Sequence, residues 1–165
     1  MANIFRKPRA GAGRLGLYVL VFVGSALALN AWIFSGPAIM WSRSLENPVW
    51  APSGVFIGAV WMIQFMLLSL SAFLVDRLGD PTRKDPARLA VVVWWLICLA
   101  WPAVYFGLQS IAGGVYLTVA ALVMGAPALV LTWRTARPAA LVLLPLQAWL
   151  VFALALIVTV WGLNP

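Results

Sequence analysis

Five apolar runs, at residues 15–34, 55–75, 89–108, 113–133 and 139–161, account for most of this chain of 165 residues, and none contains an Asp, Glu, Lys or Arg. Each is close to the ~20 residues an α-helix needs to cross about 30 Å of hydrocarbon. A segment in lipid must satisfy its own backbone hydrogen bonds, which favours helices over open strands. The pattern predicts an all-α integral membrane protein, a five-transmembrane-helix bundle. Residues 1–14 are expected to form a basic cytoplasmic tail, and 15–165 a single five-helix transmembrane domain.

Composition and charge agree with a lipid solvent. Hydrophobic residues make up 64% of the chain and charged ones 9%, with a mean hydropathy of +1.00. So few charges cannot coat a water-soluble core. The net charge of +7 invites a nucleic-acid reading, but the bases fall between the apolar runs instead of forming a stripe, so no nucleic-acid partner is expected. Arg6, Lys7, Arg9 and Arg14 precede the first run; Arg77, Arg83, Lys84 and Arg88 follow the second; Arg134 and Arg137 follow the fourth. These share one side, and Arg43 alone lies on the other. By the positive-inside rule the N-terminus is cytoplasmic and the C-terminus lies across the membrane. The first run exceeds the ~7–15 residues of a signal-peptide core, which predicts a retained helix.

The connections differ in kind. Residues 76–88 read as a solvated turn with mixed charges, and Gln109–Ser110 as a tight hairpin. The longest, 35–54, includes Pro37, Trp41, Trp50 and Pro52 and is apolar enough to fold over the bundle mouth as a lid. Pro102, Pro127 and Pro145 are expected to kink their helices. Gly54-x-x-x-Gly58 and Ala121-x-x-x-Gly125 are small-residue pairs that allow close helix approach, within the chain or across a homodimer seam.

Chemistry has little to work with. Histidine is absent, Cys98 is the only cysteine, and no run holds an ionisable carboxylate or base. Zinc sites, histidine triads, an internal disulfide and proton-coupled transport are therefore not expected. No catalytic residue, metal site or enzymatic activity is predicted, and Cys98 reads as a small buried apolar residue.

Tryptophan is the excess, at ten residues. Those near run ends, Trp32, Trp41, Trp133 and Trp161, suit an interfacial belt. Trp61, Trp94, Trp95, Trp101 and Trp149 lie deeper. Trp61, Phe65 and Leu68 share a helical face, and Trp149, Phe152 and Ala153 lie close together. Ordinary helix packing explains these spacings, and so does an aromatic-walled slot for a flat conjugated ligand.

The stretch Asn47-Pro-Val-Trp-Ala-Pro-Ser-Gly-Val-Phe-Ile-Gly-Ala-Val-Trp61, with Ala100-Trp-Pro-Ala-Val-Tyr-Phe-Gly107 and Pro145-Leu-Gln-Ala-Trp-Leu-Val-Phe-Ala153, resembles the TspO/translocator protein family of tryptophan-rich sensory proteins, as a diverged bacterial-type member. The resemblance implies a five-helix bundle, often dimeric, in a bacterial inner membrane with a periplasmic C-terminus. It also implies a pocket beneath the first loop, lined or bordered by Trp50, Trp61, Trp101, Trp149 and Ala153, with Phe65 at a position where the family carries tyrosine. Ligands implied are porphyrin, bacteriochlorophyll, carotenoid or lipid, none covalent, with a regulatory or accessory role in tetrapyrrole or carotenoid metabolism or photosynthesis. The departures from the family pattern run mostly from polar to apolar: Val55, Ala59, Phe65, Cys98, Leu117, Ile157, Val158 and Gly162. Such a drift also suits an accessory or assembly subunit of a larger membrane complex, packed against other integral membrane proteins.

Overall fold

The computed structural model describes residues 11–165; the expected contributions of Arg6, Lys7 and Arg9 lie outside them. Five helices long and apolar enough to cross a membrane run over Ala12–Phe34, Gly54–Leu78, Lys84–Gly107, Ile111–Thr135 and Arg137–Leu163, here called spans 1 to 5. One short helix, Ala38–Ser44, lies in the first connection.

Consecutive spans alternate direction, so the chain has two ends. The loop end carries the connection between spans 1 and 2, the hairpin at Gln109 and the end of span 5. The basic end carries the start of span 1, the turn after span 2 and the junction after Thr135. The main core is built around Phe22, Leu68, Trp94, Trp95, Leu143, Leu146 and Leu150, with a smaller buried cluster of Val75, Ala87, Ala136 and Ala139 at the basic end and one of Tyr105, Val115 and Ile157 at the loop end. Outside it Leu20, Met40, Val55, Leu108, Tyr116 and Val123 are exposed, as expected where lipid replaces water as the solvent of the outer face.

The spans run past the apolar runs at the basic end, which corrects one expectation. Residues 76–88 are not mainly a solvated turn: span 2 continues to Leu78 and span 3 begins at Lys84. Asp76 therefore sits inside a helix with its side chain only 5% exposed. Its carboxylate accepts from Tyr18 Oη at 2.7 Å and pairs with Arg14 Nε at 2.6 Å and Arg88 at 3.1 Å. A buried carboxylate needs such partners, and these come from spans 1 and 3, so that Asp76 joins three spans.

The prolines do different things. After Pro102 the helix widens into a π-helical segment, Ala103–Gly107, as expected where a missing N–H interrupts the ladder. Pro127 lies within an unbroken helix. Pro145 falls in the first turn of the helix Leu144–Leu163, where its lack of a donor costs nothing. The break in span 5 instead precedes it, at Val142 and Leu143. Span 1 also holds a π-helical stretch, Leu20–Gly24, that no proline signals.

The small-residue pairs divide. Ala121 and Gly125 are buried against neighbouring spans, whereas Gly54 and Gly58 face outward, where an added Cβ meets nothing within 4 Å.

Candidate functional site

At the loop end, rings from spans 2, 3 and 5 and from the first connection, joined by Phe34 of span 1 at 4.9 Å from Phe106, form one connected aromatic cluster. Span 2 is positioned by its own cap: the Ser53 hydroxyl accepts from the Phe56 N–H at 3.3 Å, satisfying one of the free donors of the first turn. That start places Trp61 two turns into the bundle with Phe65 one turn further, their ring centroids 6.0 Å apart. Trp61 is the hub. It lies 6.5 Å from Trp101 at a shallow angle of 29° and 6.5 Å from Trp149 at 89°.

Span 3 contributes a stack. Trp101 and Tyr105 are 4.6 Å apart and nearly parallel, and Phe106 meets both edge-on at 5.7 and 4.8 Å. The widened turn after Pro102 allows two successive residues, Tyr105 and Phe106, to reach the same ring. Trp101 Nε1 donates to the Gly114 carbonyl at 3.1 Å and to Thr118 Oγ1 at 3.0 Å, which locks the indole to span 4. Gly114 is required here: a Cβ would stand 2.8 Å from the Tyr105 ring.

Span 5 adds Trp149, 5.1 Å from Phe152, and Phe152 receives Trp50 of the connection edge-on at 5.9 Å. Ala153 is half-buried beside Phe152 and supplies no ring. The connection is tied down over this cluster. Trp41 packs edge-on against Tyr105 at 5.2 Å. The Glu46 N–H donates to Asn164 Oδ1 and Asn164 Nδ2 donates back to the Glu46 carbonyl, both at 2.9 Å. Trp50 remains 47% exposed at the rim.

Of the residues singled out in the sequence, Trp50, Trp61, Phe65, Trp101 and Trp149 thus join one network, through Phe152 in the case of Trp50. Tyr105, Phe106, Trp41 and the Glu46–Asn164 clamp were not read as site residues. Tyr105 and Phe106 follow Trp101 by four and five residues, a spacing that brings both to one face only in a widened turn. Nothing local in the sequence marks a partner for Asn164.

Buried amides qualify the polar-to-apolar drift. Gln64 is 5% exposed, three residues after Trp61, and its Nε2 donates to the Pro145 carbonyl at 3.5 Å. Gln147 Nε2 donates to the Leu122 carbonyl at 3.3 Å, while its Oε1 occupies the space a side chain at Gly125 would take, against the Trp94 ring. Gln64 Oε1, Gln147 Oε1, Trp94 Nε1 and Trp149 Nε1 are buried without a hydrogen-bond partner among the described residues. Each such group costs about 1–3 kcal/mol when left unsatisfied. Three of the departures pack as hydrocarbon, Phe65 and Cys98 in the central core and Ile157 with Tyr105 and Val115, whereas Val55 and Val158 are exposed on the outer face.

Chemically the cluster offers π faces, aromatic edges and a few amide and indole groups. Among the described residues no three His, Cys, Asp or Glu side chains gather as metal ligands would. This is a membrane-embedded five-helix bundle with a tryptophan-centred cluster beneath a tethered first loop.

The family model for the TspO/MBR family matches residues 16–162, and the chain belongs to that family. It is 31% identical to Protein CrtK of Rhodobacter capsulatus over 156 residues, covering 92% of this chain and 94% of that one. It is 30% identical over 132 residues to the tryptophan-rich protein TspO of Chlorobaculum tepidum, covering 78% and 82%. The translocator protein of Ovis aries is 28% identical over 141 residues, with 82% of each chain covered.

Proposed function

We propose that this protein binds a flat, hydrophobic conjugated molecule, a porphyrin-type tetrapyrrole or a carotenoid, at the aromatic cluster, and acts through that binding in a regulatory or accessory role without catalysing a reaction. The observation that carries the reading is the Trp61 hub. Rings from spans 2, 3 and 5 meet there, next to a buried indole N–H on Trp149 that has no partner among the described residues, and Trp41 and Trp50 of the first connection border them through Tyr105 and Phe152. Stacking supplies affinity for an extended π system, and Trp149 Nε1 supplies a donor for a ligand carbonyl or carboxylate. The Glu46–Asn164 clamp is the closure that a ligand entering under the loop has to open. The bases of the chain support an N-terminus in the cytoplasm of a bacterial cell, in its inner membrane, with the loop end facing the periplasm.

The test is a fluorescence titration of the protein in nanodiscs with protoporphyrin, bacteriochlorophyll and a carotenoid. Saturable quenching of tryptophan emission by at least one of them is expected. Emission unchanged by every ligand rejects the reading.

A second reading, an accessory subunit packed against another integral membrane protein or a second copy, is favoured by one feature. Gly54 and Gly58 present an open backbone to the outside of span 2 rather than to another span, as a close helix–helix contact requires. Purification in mild detergent decides it: migration as a lone chain in every condition counts against this reading.

A further inference from the structure

We propose that the basic end of the bundle carries a binding site for one anionic phospholipid, distinct from the aromatic cluster, with the lipid phosphate held between Arg83 and Arg134. A cavity of about 540 Å³ opens there between the start of span 3 and the end of span 4, lined by Arg83, Pro86, Leu131, Arg134 and Thr135.

The two guanidinium groups are what distinguish it. Arg14 and Arg88 at the same end are spent on Asp76 and Asp85, and Arg137 lies over the Trp133 ring at 5.6 Å. Arg83 and Arg134 have no ion pair or side-chain hydrogen bond among the described residues. Of the two acids that flank Arg83 in sequence, Asp85 pairs with Arg88 at 2.9 Å; Asp80 feels the charge of Arg83 without pairing with it and directs its carboxylate to Thr82, accepting from its N–H at 2.9 Å and its hydroxyl at 2.7 Å. Two unpaired cations beside one cavity repel each other unless an anion joins them, and a phosphate diester accepts from two arginines at once.

The cavity walls hold their positions. Thr135 Oγ1 donates to the Leu131 carbonyl at 2.8 Å and lies 3.4 Å from the Arg83 carbonyl, which ties the end of span 4 to the turn before span 3. Gly79 lets that turn close, since a Cβ there would fall 2.9 Å from Thr135 Cγ2.

Depth and polarity select a lipid over a soluble anion. Span 4 has 25 residues, about 37 Å at ~1.5 Å per residue, longer than the ~30 Å hydrocarbon layer. Its last turn, with Arg134 and Thr135, therefore emerges among headgroups while Leu131 one turn earlier meets acyl chains. A ligand matching this has a phosphate above and hydrocarbon below. Basic pockets between helices at this level recruit anionic headgroups, with each arginine near the surface contributing about a fivefold preference.

Native mass spectrometry of the full chain, presented with phosphatidylglycerol or phosphatidylcholine, tests the site. One phosphatidylglycerol is expected to be retained well beyond phosphatidylcholine. The preference should fall at least about fivefold in Arg83→Gln/Arg134→Gln and stay unchanged in Arg43→Gln, whose charge lies at the other end. Arg134→Glu, a single change at an exposed position, should abolish the preference even if the double variant folds poorly. Added inorganic phosphate at millimolar concentration should not displace the lipid; displacement would show a site for the phosphate group alone. Equal retention of the two lipids, or a preference that survives Arg134→Glu, overturns the proposal.

Discussion

Single side chains hold the aromatic cluster of this bundle together, and Trp61 makes the most central contacts. Its ring meets Phe65, Trp101 and Trp149, so Trp61→Ala removes one ring contact each with spans 2, 3 and 5. The expected loss is about 3 kcal/mol, the lower end of the ~3–5 for Trp→Ala because the ring is only half-buried. Thermal unfolding in detergent reads it, and the same variant should blue- or red-shift the remaining tryptophan emission. Asp80 gives a pH-dependent effect at this scale. Hydrogen bonds from the Thr82 hydroxyl and amide hold its carboxyl below the ordinary carboxylate value. A depressed folded-state value means that the turn is supported above the ordinary range and loses that support as pH falls through the lower one. The Thr82 amide shift should therefore titrate below ~3.9 in the native chain and not at all in Asp80→Asn. The tryptophans of this site were legible because a large ring deep in an apolar run is conspicuous. Gln64 and Gln147 were not, since their effect depends on which neighbour lacks a partner, and that is a tertiary fact.

At the scale of elements, the apolar runs located every span but misplaced its ends at the basic side. Hydropathy reports where charge begins; a helix stops only when its backbone loses partners, and Asp76 shows the difference. Inside span 2 it anchors spans 1 and 3 through Arg14, Tyr18 and Arg88. Asp76→Asn should cost about 2 kcal/mol, less than the ~3–5 for a fully buried pair because Arg14 and Arg88 stay 49% and 33% exposed. Protease protection of span 1 would report the loss first. Glycines separate inward from outward faces in the same way. Gly114→Val brings a side chain against Tyr105 and should destabilise by about 1–3 kcal/mol. Gly58→Val meets open space within the chain and should change its unfolding by less than ~0.5 kcal/mol. If Gly58→Val shifts the oligomeric state in detergent, the outward face of span 2 is a contact with another chain. Pro102 was readable as a point of irregularity, whereas the π-helical stretch at Leu20–Gly24 has no residue to announce it; packing of Phe22 on Trp95 at 4.5 Å accompanies it.

For the whole molecule, the two ends differ in chemistry. The loop end gathers aromatic rings under a clamped connection, and the basic end gathers arginines, some paired with acids and two left free at a cavity. Charge asymmetry across the apolar runs made the existence of two unlike ends readable from sequence, and the family motifs marked which end holds the tryptophans. What joins them was not readable, because the core of Trp94, Leu143, Leu146 and Leu150 links residues about fifty positions apart. The central claim is that a conjugated ligand binds among the rings at the loop end. Its most direct test is the affinity for protoporphyrin, read by porphyrin absorbance in nanodiscs, of the native chain beside Trp61→Ala, Trp149→Ala and Trp133→Ala. An aromatic contact is worth about 0.5–1.5 kcal/mol, so Trp61→Ala and Trp149→Ala should each weaken binding by about three- to tenfold or more, and Trp133→Ala, at the basic end, should leave it unchanged. Equal affinity in all four proteins, or a loss confined to Trp133→Ala, would contradict the account.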